Sequence, residues 1–337
     1  MSKYSPPYTI TSNIINLVAE ISELLGHWFA TGKIASPQLR KENRIRTIQA
    51  SLAIEHNSLS IEQVTAIMDG KHVLGPARDV QEVRNAILTY KKLFQWNSGN
   101  IKHFLEAHQL LTYGLVDNSG HWRNSGVGIY REKQLIHMPP QPDRVPMLMQ
   151  SLFDWLTQTD IHPLIKSCIF HYELEFIHPF LDGNGRMGRL WQTLILSEWR
   201  KELAWLPVET LIRENQERYY QALRDADQAS DCTCFITFML QIIASSLKVS
   251  VTDNLNQKNV GEYVGNMSEK NNAIKLNQTA RKMLEILRNN PTVTIAELSA
   301  QLGVSTRTIE RNLKQLQDRK LLKRLGGTTK AGYWQVL

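Results

Sequence analysis

The stretch HPFLDGNGRMGR, residues 178–189, holds one histidine, one acid, one asparagine, two arginines and three glycines. Apolar residues recur every three or four positions on both sides of it, which predicts one helix before it and another that starts near residues 184–186. Pro179 disfavours helical backbone at His178, so the first helix is expected to end there. The glycines allow a tight turn and the close approach of a ligand. We therefore predict a glycine-rich loop between two core helices.

The loop contains the parts of a phosphate-binding site. Unpaired N–H groups and the positive end of the helix dipole make the start of the second helix attractive to anions. Arg186 and Arg189 both lie at that start, so both guanidinium groups can reach one anion. Asp182 suits such a place beside a divalent cation, because Mg²⁺ binds one carboxylate together with phosphate oxygens and water. His178, neutral near pH 7, can accept a proton from an incoming hydroxyl.

These groups favour phosphoryl or nucleotidyl transfer from a magnesium-bound nucleotide, in which positioning and charge neutralisation do most of the catalysis. The residues alone leave a structural interpretation open, because a turn rich in glycine and arginine can simply connect two helices. The stretch also resembles the signature of the Fic family, HxFx(D/E)GNGRxxR. Its fixed positions are all matched, by His178, Phe180, Asp182, Gly183, Asn184, Gly185, Arg186 and Arg189. The segments HYELEFIHPF and ENQERYYQAL extend the likeness over residues 100–240.

The resemblance implies a mainly α fold, with a Fic-type helical core and a short β-hairpin flap. It also implies transfer of AMP from ATP to a hydroxyl side chain (Ser, Thr or Tyr) of a target protein, with His178 as the base and Asp182 as the ligand of the cofactor Mg²⁺. The residues implied to hold the phosphates of ATP are Gly183, Asn184, Gly185, Arg186, Met187, Gly188 and Arg189, the last at the γ-phosphate. Asn215, Tyr219 and Tyr220 would contact the base and ribose, although the two tyrosines could equally be packing residues.

Residues 125–146 differ from their helical surroundings. They contain β-forming residues followed by two consecutive prolines, which indicates a short hairpin or an extended flap. In the Fic family a hairpin at this place aligns an extended segment of the target protein. The resemblance therefore implies that Gly128, Ile129 and Tyr130 recognise the target through backbone pairing.

A second stretch, SLAIEHN, lies on a predicted helix of about residues 44–57, which puts Ser51 and Glu55 on one helix face. It resembles the inhibitory helix (S/T)xxxE(G/N) of many Fic proteins, whose glutamate pairs with the second arginine of the signature. His56 departs from this pattern. The resemblance implies that Glu55 pairs with Arg189 and keeps the resting enzyme inhibited, because a carboxylate on that arginine competes with the γ-phosphate.

The last part of the chain differs from the rest in charge. From residue 271 onward it has twelve Lys and Arg residues against four acids, whereas the whole chain has a net charge of +7. Its predicted elements are two helices, a GVS turn, a longer basic helix at 305–320 and two strands, the order of a winged helix-turn-helix domain. DNA contacts are predicted on the basic helix and on the wing, at Arg307, Thr308, Arg311, Lys314, Lys323, Arg324 and Lys330. The alternative is a module for protein interaction or dimer formation.

The predicted organisation has an N-terminal helical region with the inhibitory helix (1–100), a Fic catalytic core (101–248), a linker rich in Asn, Gly and Ser (249–276) and the winged helix-turn-helix domain (277–337). Three cysteines suit a reducing cytoplasm. We recognise no signal peptide and no apolar run near ~18 residues, so we expect a cytoplasmic protein that does not enter a membrane. A homodimer would suit both modules.

Two other functions remain open on the sequence. A transcription regulator could use the Fic-like body only to sense a nucleotide, although such a sensor would not need His178. A Fic enzyme could instead transfer another phosphate-containing group, or remove AMP by using the inhibitory glutamate to activate water. The complete signature favours the AMP-transferring enzyme. Its partners would be ATP, a protein substrate that could be the chain itself, and DNA at the C-terminal domain.

Overall fold

The computed structural model describes residues 4–30, 36–131, 134–265, 278–318, 322–325 and 333–336. The chain divides into two compact units, Met1–Asn259 and Val260–Leu337. The first unit is mainly helical and contains a short hairpin, and the second combines helices with another hairpin. The prediction of a mainly α fold with a flap and an α+β C-terminal domain is therefore confirmed.

The first unit is built from helices that surround two buried ones, α7 and α8. In chain order the helices are α1 (Ser12–Ala30), α2 (Pro37–Ile54), α3 (Ile61–Met68), α4 (Ala77–Lys92), α5 (Ile101–Leu111), α6 (Val145–Gln158), α7 (Pro163–Ile177), α8 (Asn184–Trp199), α9 (Val208–Glu214), α10 (Gln216–Ala229) and α11 (Thr233–Gly265). The strands β1 (Ile129–Arg131) and β2 (Gln134–His137) form an antiparallel hairpin between α5 and α6. This hairpin is the predicted flap.

The helices α7 and α8 flank the glycine-rich loop and hold it in the core. Both are buried around most of their circumference, as expected for central helices. Aromatic rings fill the space beside the loop, where Phe104 contacts Phe180 and Trp191 at centroid distances of 5.5 Å and 4.9 Å. Phe180 is fully buried. Since burial of such a side chain contributes about 1.5–3 kcal/mol, Phe180 anchors the loop to the core.

Helix α2 carries the predicted inhibitory residues, but its ends differ from those predicted. It begins at Pro37, where a proline suits the first helical turn, and it ends at Ile54 instead of 57. His56 has a left-handed backbone with φ of 68°. The Asn57 N–H donates to the carbonyl oxygen five residues earlier at 3.1 Å, which is a Schellman termination. A left-handed residue cannot continue a right-handed helix, so Glu55 caps α2 instead of lying within it.

Helix α11 continues to Gly265, into the stretch 249–276 that is predicted as a linker, and the boundary between the two units lies within that stretch. Helix extension adds one hydrogen bond for each newly ordered residue, so a helix nucleated in a core can continue into a weakly helical sequence. Residues 266–277 lie outside the described part of the chain. The expected lack of a long apolar run also needs correction, because Thr233–Val251 is long and apolar enough to span a membrane by length and composition. Over half of that segment is buried in the protein, as in core helices of globular proteins.

The second unit has the element order of a winged helix-turn-helix domain. It contains α12 (Gln278–Asn289), α13 (Ile295–Leu302), α14 (Thr306–Asp318) and the antiparallel strands β3 (Leu322–Leu325) and β4 (Tyr333–Val336). Thr294 caps α13 through a reciprocal pair with Glu297, and Gly303 ends the helix with a left-handed backbone. The unit has a hydrophobic core of its own, which includes Met283, Leu298, Ile309, Leu316 and Trp334.

Candidate active site

His178 lies where α7 meets the loop. It caps α7 with a left-handed backbone (φ 50°), an uncommon conformation that turns the chain sharply. Its Nδ1 lies 3.4 Å from the carbonyl oxygen of Glu175. A proton on Nδ1 satisfies this contact and leaves Nε2 with a lone pair. Burial lowers the pKa of His178 to about 4, so the ring is neutral at pH 7 and can accept a proton.

Arg123 holds the backbone of His178 from outside the signature. Its Nε donates to the His178 carbonyl oxygen at 2.7 Å, and its Nη1 donates to the Ser125 carbonyl oxygen at 3.1 Å. The side chain is buried, and hydrogen bonds from a buried guanidinium are among the stronger ones in proteins. Arg123 therefore ties the proposed base to the segment that leads into the flap.

His108 supports the opposite side of the loop. Its ring stacks on Phe180 with centroids 3.6 Å apart. Its Nδ1 accepts from the Gly120 N–H at 2.9 Å, so a neutral ring donates from Nε2 to the Asp182 carbonyl oxygen at 3.0 Å. Burial lowers the pKa of His108 to about 4, which agrees with a neutral ring. The sequence shows no local sign of these roles for Arg123 and His108, because both depend on contacts between distant segments.

The Asp182 carboxylate contacts two arginines at the mouth of the loop. Its Oδ1 accepts from Arg186 Nη2 at 2.7 Å, and its Oδ2 accepts from Arg78 Nη2 at 3.0 Å. Burial opposes ionisation of Asp182, but the charge and hydrogen bond of Arg186 outweigh it and lower the pKa. Asp182 is therefore an ionised carboxylate. Glu82 also lies near this group, with its Oε1 3.4 Å from Arg186 Nη1.

The surroundings of Asp182 fit a Mg²⁺ ion that is shared with a nucleotide. Among the residues that the structure describes, no group of three or more His, Cys, Asp or Glu side chains could hold a metal by itself. Mg²⁺ commonly binds one or two carboxylates together with phosphate oxygens and water. An ionised carboxylate beside an anion site meets that need. Arg78, whose side chain is exposed, would then release the Asp182 Oδ2 atom, so that the ion can bind to it.

The start of α8 has the features of an anion site. The first hydrogen bond within the helix runs from the Met187 N–H to the Gly183 carbonyl oxygen at 2.9 Å. The N–H groups of residues 184–186 precede that bond and have no acceptor within the helix. Gly183 has a left-handed backbone (φ 89°) that glycine adopts without strain. The helix dipole adds to the attraction of these N–H groups for a phosphate.

Three residues of the stretch that are predicted at the phosphates make structural contacts within the protein. The N–H of Met187 is used within α8, and its side chain is buried in the core. Asn184 uses its side-chain amide on the backbone of Phe180, donating and accepting at 2.9 Å. Gly188 lies against His171, where an added Cβ would come within 2.9 Å of the ring. These residues hold the loop and the packing of α7 on α8 in this structure, and their predicted role at the phosphates stays a prediction.

Arg189 is buried and is held by α2. Its Nε donates to Ser51 Oγ at 3.0 Å, and its Nη2 donates to the Ser51 carbonyl oxygen at 3.0 Å and to Glu55 Oε1 at 2.7 Å. Burial disfavours the charged form, but the charge of Glu55 outweighs it and raises the pKa of Arg189. Gly185 makes the approach possible, because a Cβ there would collide with the Glu55 carboxylate. The structure thus brings together Ser51, Glu55 and Arg189.

A cavity of about 530 Å³ opens beside the loop, within the size range of small-molecule sites. Glu55, His178 and Arg189 line one end of it. Its remaining lining is largely aromatic and apolar with a few charged groups, and includes His137, Tyr172, Glu175, Tyr220, Leu223 and Asp227. A nucleotide with its phosphates at the arginine end could place its base among these rings.

Of the three residues predicted at the base and ribose, Tyr219 and Tyr220 line the cavity. Tyr219 is fully buried, and its hydroxyl lies 3.0 Å from His171 Nε2. It is therefore both a packing residue and part of the cavity wall. Asn215 lies at the junction of α9 and α10 and is not among the described residues that line the cavity, so its ligand contact stays a prediction. At that junction its Nδ2 donates to the Leu211 carbonyl oxygen at 2.9 Å.

The flap forms part of the cavity wall through Ile129, which pairs with His137 across the two strands. Gly128 immediately precedes β1. Tyr130 lies in β1 opposite Leu135, and its side chain is outside the described part of the structure. The backbone of Ile129 and Tyr130 is extended, as pairing with a target segment requires.

His137 ties the flap to two helices. Its Nδ1 lies 2.8 Å from Asp227 Oδ2 on α10, and its Nε2 lies 2.8 Å from the carbonyl oxygen of Phe176 on α7. Because both partners can only accept, both ring nitrogens carry a proton and the ring is positively charged. Burial lowers the pKa of His137, but the hydrogen bonds to Asp227 and Phe176 outweigh it, so the pKa is raised.

The candidate nucleic-acid interface in the second unit is a face of α14. Arg307, Arg311 and Lys314 are exposed there, at spacings of four and three residues that share a helix face. Thr308 is only partly exposed, and its Oγ1 lies 3.0 Å from Ser305 Oγ at the start of the helix. Arg324 lies over the Trp334 ring, 5.0 Å from its centroid. Lys330, another predicted wing contact, is outside the described residues.

Comparison with known proteins agrees with these two units. The model of the Fic/DOC family matches residues 98–196, and that of an HTH domain matches residues 279–333. Over 223 residues the chain is 28% identical to the protein adenylyltransferase Fic of Nematostella vectensis, covering 62% of this chain and 49% of that protein. The Drosophila melanogaster protein of the same name is 28% identical over 220 residues, covering 62% and 42%. The chain thus spans about half the length of the curated relatives that it matches.

A solved structure covers almost the entire chain. A Fic family protein from Desulfovibrio desulfuricans G20 is 44% identical, covers 99% of this chain and 98% of its own, and superposes with a TM-score of 0.72. Fic-1 from C. elegans is 21% identical with a TM-score of 0.58, covers 73% of this chain and 74% of its own, and shares the fold. From the full-length match, together with the signature loop and its surroundings, we conclude that the chain belongs to the Fic family and carries a helix-turn-helix domain after its Fic core.

Proposed function

We propose that the protein is an adenylyltransferase that transfers AMP from magnesium-bound ATP to a Ser, Thr or Tyr hydroxyl of a target protein. The observation that carries the proposal is a nucleotide-sized cavity lined by the neutral His178 and by Gly185 at the start of α8, the helix start at which the ionised Asp182 pairs with Arg186. The names of the curated relatives support the same reaction. A target segment would pair with the flap, so that its hydroxyl comes beside His178.

In this reaction His178 acts as the base. Nε2 of the neutral ring accepts the proton of the target hydroxyl while that oxygen forms a bond with the α-phosphorus. The bond between the α-phosphorus and the oxygen that bridges to the β-phosphate breaks, and diphosphate leaves. The contact of Nδ1 with the Glu175 carbonyl oxygen orients the ring, and Arg123 fixes its backbone.

The phosphates would lie on the start of α8. The N–H groups of residues 184–186 and the Arg186 side chain would hold their oxygens and offset negative charge that develops during transfer. Asp182 would hold Mg²⁺, which when bound supplies charge neutralisation at the phosphates. Arg78, which now contacts Asp182 Oδ2, would then turn toward solvent or toward a phosphate.

The resting protein would be self-inhibited. Arg189 is the remaining arginine of the signature, and its guanidinium is occupied by Ser51 and Glu55. A γ-phosphate cannot take the Nη2 position while Glu55 holds it, so ATP would bind with its phosphates wrongly oriented. Activation would require the end of α2 to release Arg189, whereas ATP binding itself would not.

The proposal is tested by incubating α-labelled ATP and Mg²⁺ with the protein alone and with a cell lysate. We compare the wild type, Glu55→Gly, and Glu55→Gly combined with His178→Ala. Label on protein should be weak in the first, at least tenfold stronger in the second and absent from the third. The double variant should still bind ATP and melt at a similar temperature, which shows that loss of the base, and not loss of folding, removes the label. ATP binding without labelled protein in any variant would contradict AMP transfer and favour a nucleotide sensor or another donor.

A second function, DNA binding, is supported by the exposed basic face of α14. We propose that this face enters a major groove of duplex DNA. The test is a gel-shift series at increasing salt with mixed duplexes, since contacts with phosphates make the affinity fall steeply with salt concentration. Binding that does not depend on salt, or no binding to any duplex, would contradict it and favour a protein-interaction role for the domain.

A further inference from the structure

One buried arginine holds together the two ends of the flap segment. Arg123 lies in the irregular chain between α5 and β1, and its side chain is buried. Its Nη1 donates to the Ser125 carbonyl oxygen at 3.1 Å, and its Nη2 donates to the Pro140 carbonyl oxygen. Ser125 precedes the hairpin and Pro140 follows it. A single guanidinium group therefore closes the neck of the flap, by which we mean the place where Ser125 and Pro140 are both bound to Arg123.

The same side chain caps the end of α7. Its Nε donates to the His178 carbonyl oxygen at 2.7 Å, and its Nη2 also donates to the Ile177 carbonyl oxygen at 3.4 Å. The backbone N–H of Arg123 donates to the Pro179 carbonyl oxygen at 2.9 Å. The last carbonyl groups of a helix lack a donor within the helix, and a positive charge beside them is favourable. Arg123 thus supplies donors that α7 itself cannot supply.

The number and direction of these contacts require an arginine. The side chain of Arg123 donates to four carbonyl oxygens through three different nitrogens. A guanidinium group has five N–H donors in a fixed planar fork, whereas the ammonium group of a lysine has three donors on one nitrogen. A lysine at this position could not bind all four oxygens. Its introduction would therefore keep the positive charge but break part of the link between the flap and α7.

Arg123 joins two parts of the chain that line the same cavity. His178 and Ile129 of the flap both line it, whereas Arg123 is not among the described residues that do so. Proton transfer requires the hydroxyl and the base to come within hydrogen-bond distance. A displacement of about 1 Å between reacting groups can lower a rate about a hundredfold. Movement at the neck of the flap would therefore affect the chemistry even though Arg123 contacts no reacting group.

We propose that Arg123 is a positioning residue, which fixes the flap relative to His178 and so places the hydroxyl of a target segment on the flap within reach of the base. This inference rests on the proposed function, because it takes the flap to bind the target and His178 to accept the proton. Arg123 acts through the backbone of the flap and of His178, and it touches neither ATP nor the target. Its replacement should therefore reduce transfer to protein without reducing the affinity for ATP.

The first test measures hydrogen–deuterium exchange of the full chain by mass spectrometry. In Arg123→Lys, peptides that contain β1 or β2 should exchange about tenfold faster than in the wild type, because the neck of the flap opens more often. Peptides from α8 should exchange at the same rate in both proteins. The matched control is Arg144→Lys, at an exposed arginine just after the flap, which should leave the exchange of the hairpin unchanged. Unchanged hairpin exchange in Arg123→Lys would overturn the proposal.

The second test measures AMP transfer from α-labelled ATP with Mg²⁺ to the proteins of a cell lysate, in the uninhibited Glu55→Gly protein. Addition of Arg123→Lys should lower the maximal rate of labelling about tenfold. The affinity for ATP, measured by calorimetry, should stay within about twofold, because Arg123 does not contact the nucleotide. Addition of Arg144→Lys should change neither quantity. If Arg123→Lys does not fold, Arg123→Gln, which keeps an amide donor group, replaces it with the same expected results.

Three outcomes separate this role from others. An unchanged labelling rate despite faster exchange of the hairpin would overturn the positioning role. An equal loss of labelling and of ATP affinity would also overturn it, because it would show that Arg123 only supports the fold. If Glu55→Gly by itself binds ATP but labels no protein, the proposed function fails, and the exchange experiment alone decides whether Arg123 fixes the flap.

Discussion

Arg189 and Glu55, which are 134 residues apart in the sequence, are joined by an ion pair of 2.7 Å between Nη2 and Oε1. The arginine side chain is 1% exposed, whereas that of Glu55 is 35% exposed. The arginine is thus fixed in the core, and the glutamate is the member of the pair that can leave. Its position immediately after the last helical residue of α2 makes the geometry of that helix end important for the contact.

Ser51 should contribute to the proposed inhibition separately from Glu55. Ser51→Ala removes the acceptor of Arg189 Nε but leaves the backbone contact. Because a hydrogen bond to a charged group contributes about 1.5–3 kcal/mol, we expect AMP transfer to rise by about tenfold, less than in Glu55→Gly. The rate at which α-labelled ATP labels protein measures this rise. The control is Ser22→Ala, which alters an exposed serine of α1 and should leave the rate of AMP transfer unchanged. An unchanged rate in Ser51→Ala would contradict a role of Ser51 in the inhibition.

His56→Gly should stabilise the end of α2. His56 has a left-handed backbone, which costs a non-glycine residue about 1–2 kcal/mol and costs glycine almost nothing. The free energy of unfolding of the first unit should therefore rise by about 1 kcal/mol. Denaturation by urea, followed by tryptophan fluorescence, measures the change. His56→Ala keeps the strained conformation and should give no such gain; a similar gain in both variants would show that backbone strain is not the cause.

The contact between His137 and Asp227 should make the flap sensitive to pH. The pKa of His137 is raised in the folded state, so its stabilising effect is full below about pH 6.5, the unfolded value, and is lost as pH rises through the folded pKa. Glu175 faces the same group and favours its charged form. Titration of the His137 ring by NMR should show the raised pKa. Asp227→Asn should lower it, whereas Asp225→Asn on the same helix should not. An equal His137 pKa in the wild type, Asp227→Asn and Asp225→Asn would exclude the contact between His137 and Asp227 as the cause.

Glu175 should reduce stability as the pH rises. Burial raises its pKa to about 7. Because the pKa of Glu175 is raised in the folded state, its contribution to stability is full below the unfolded pKa of about 4.3. The contribution falls as the pH rises from there through the folded pKa. Glu175→Gln should therefore raise the melting temperature at pH 8 more than at pH 4. A melting temperature that falls at both pH values would show instead that the carboxyl group supports the fold.

The basic face of α14 should determine the salt dependence of DNA binding, if the domain binds DNA as proposed. Arg311→Ala removes one exposed charge from that face. We expect weaker binding to all duplexes and a slope of log affinity against log salt that is smaller by about one. Lys282→Ala, which removes an exposed charge from α12, is the control and should leave the slope nearly unchanged. Equal effects of the two substitutions would indicate attraction by overall charge alone.

The sequence predicted those features that depend on short stretches of chain. Pro179 and the glycines of the loop act on their own backbone, so the end of α7 at Ile177 and the start of α8 at Asn184 could be recognised from residue types. The same is true of the Thr294 cap and the Gly303 turn in the second unit. The family signature also indicated which side chains would carry the proposed chemistry.

The tertiary structure decided which signature residues face the site and which distant residues join them. Asn184 and Gly188 match or lie within the signature, yet Asn184 bonds to the backbone of Phe180 and Gly188 packs against His171. Arg78 and Arg123 have no local pattern that marks them. Their importance comes from contacts between segments far apart in the chain, such as Arg78 with Asp182. Local backbone preferences act over a few residues, whereas the burial and pairing of a charge depend on which helices pack together.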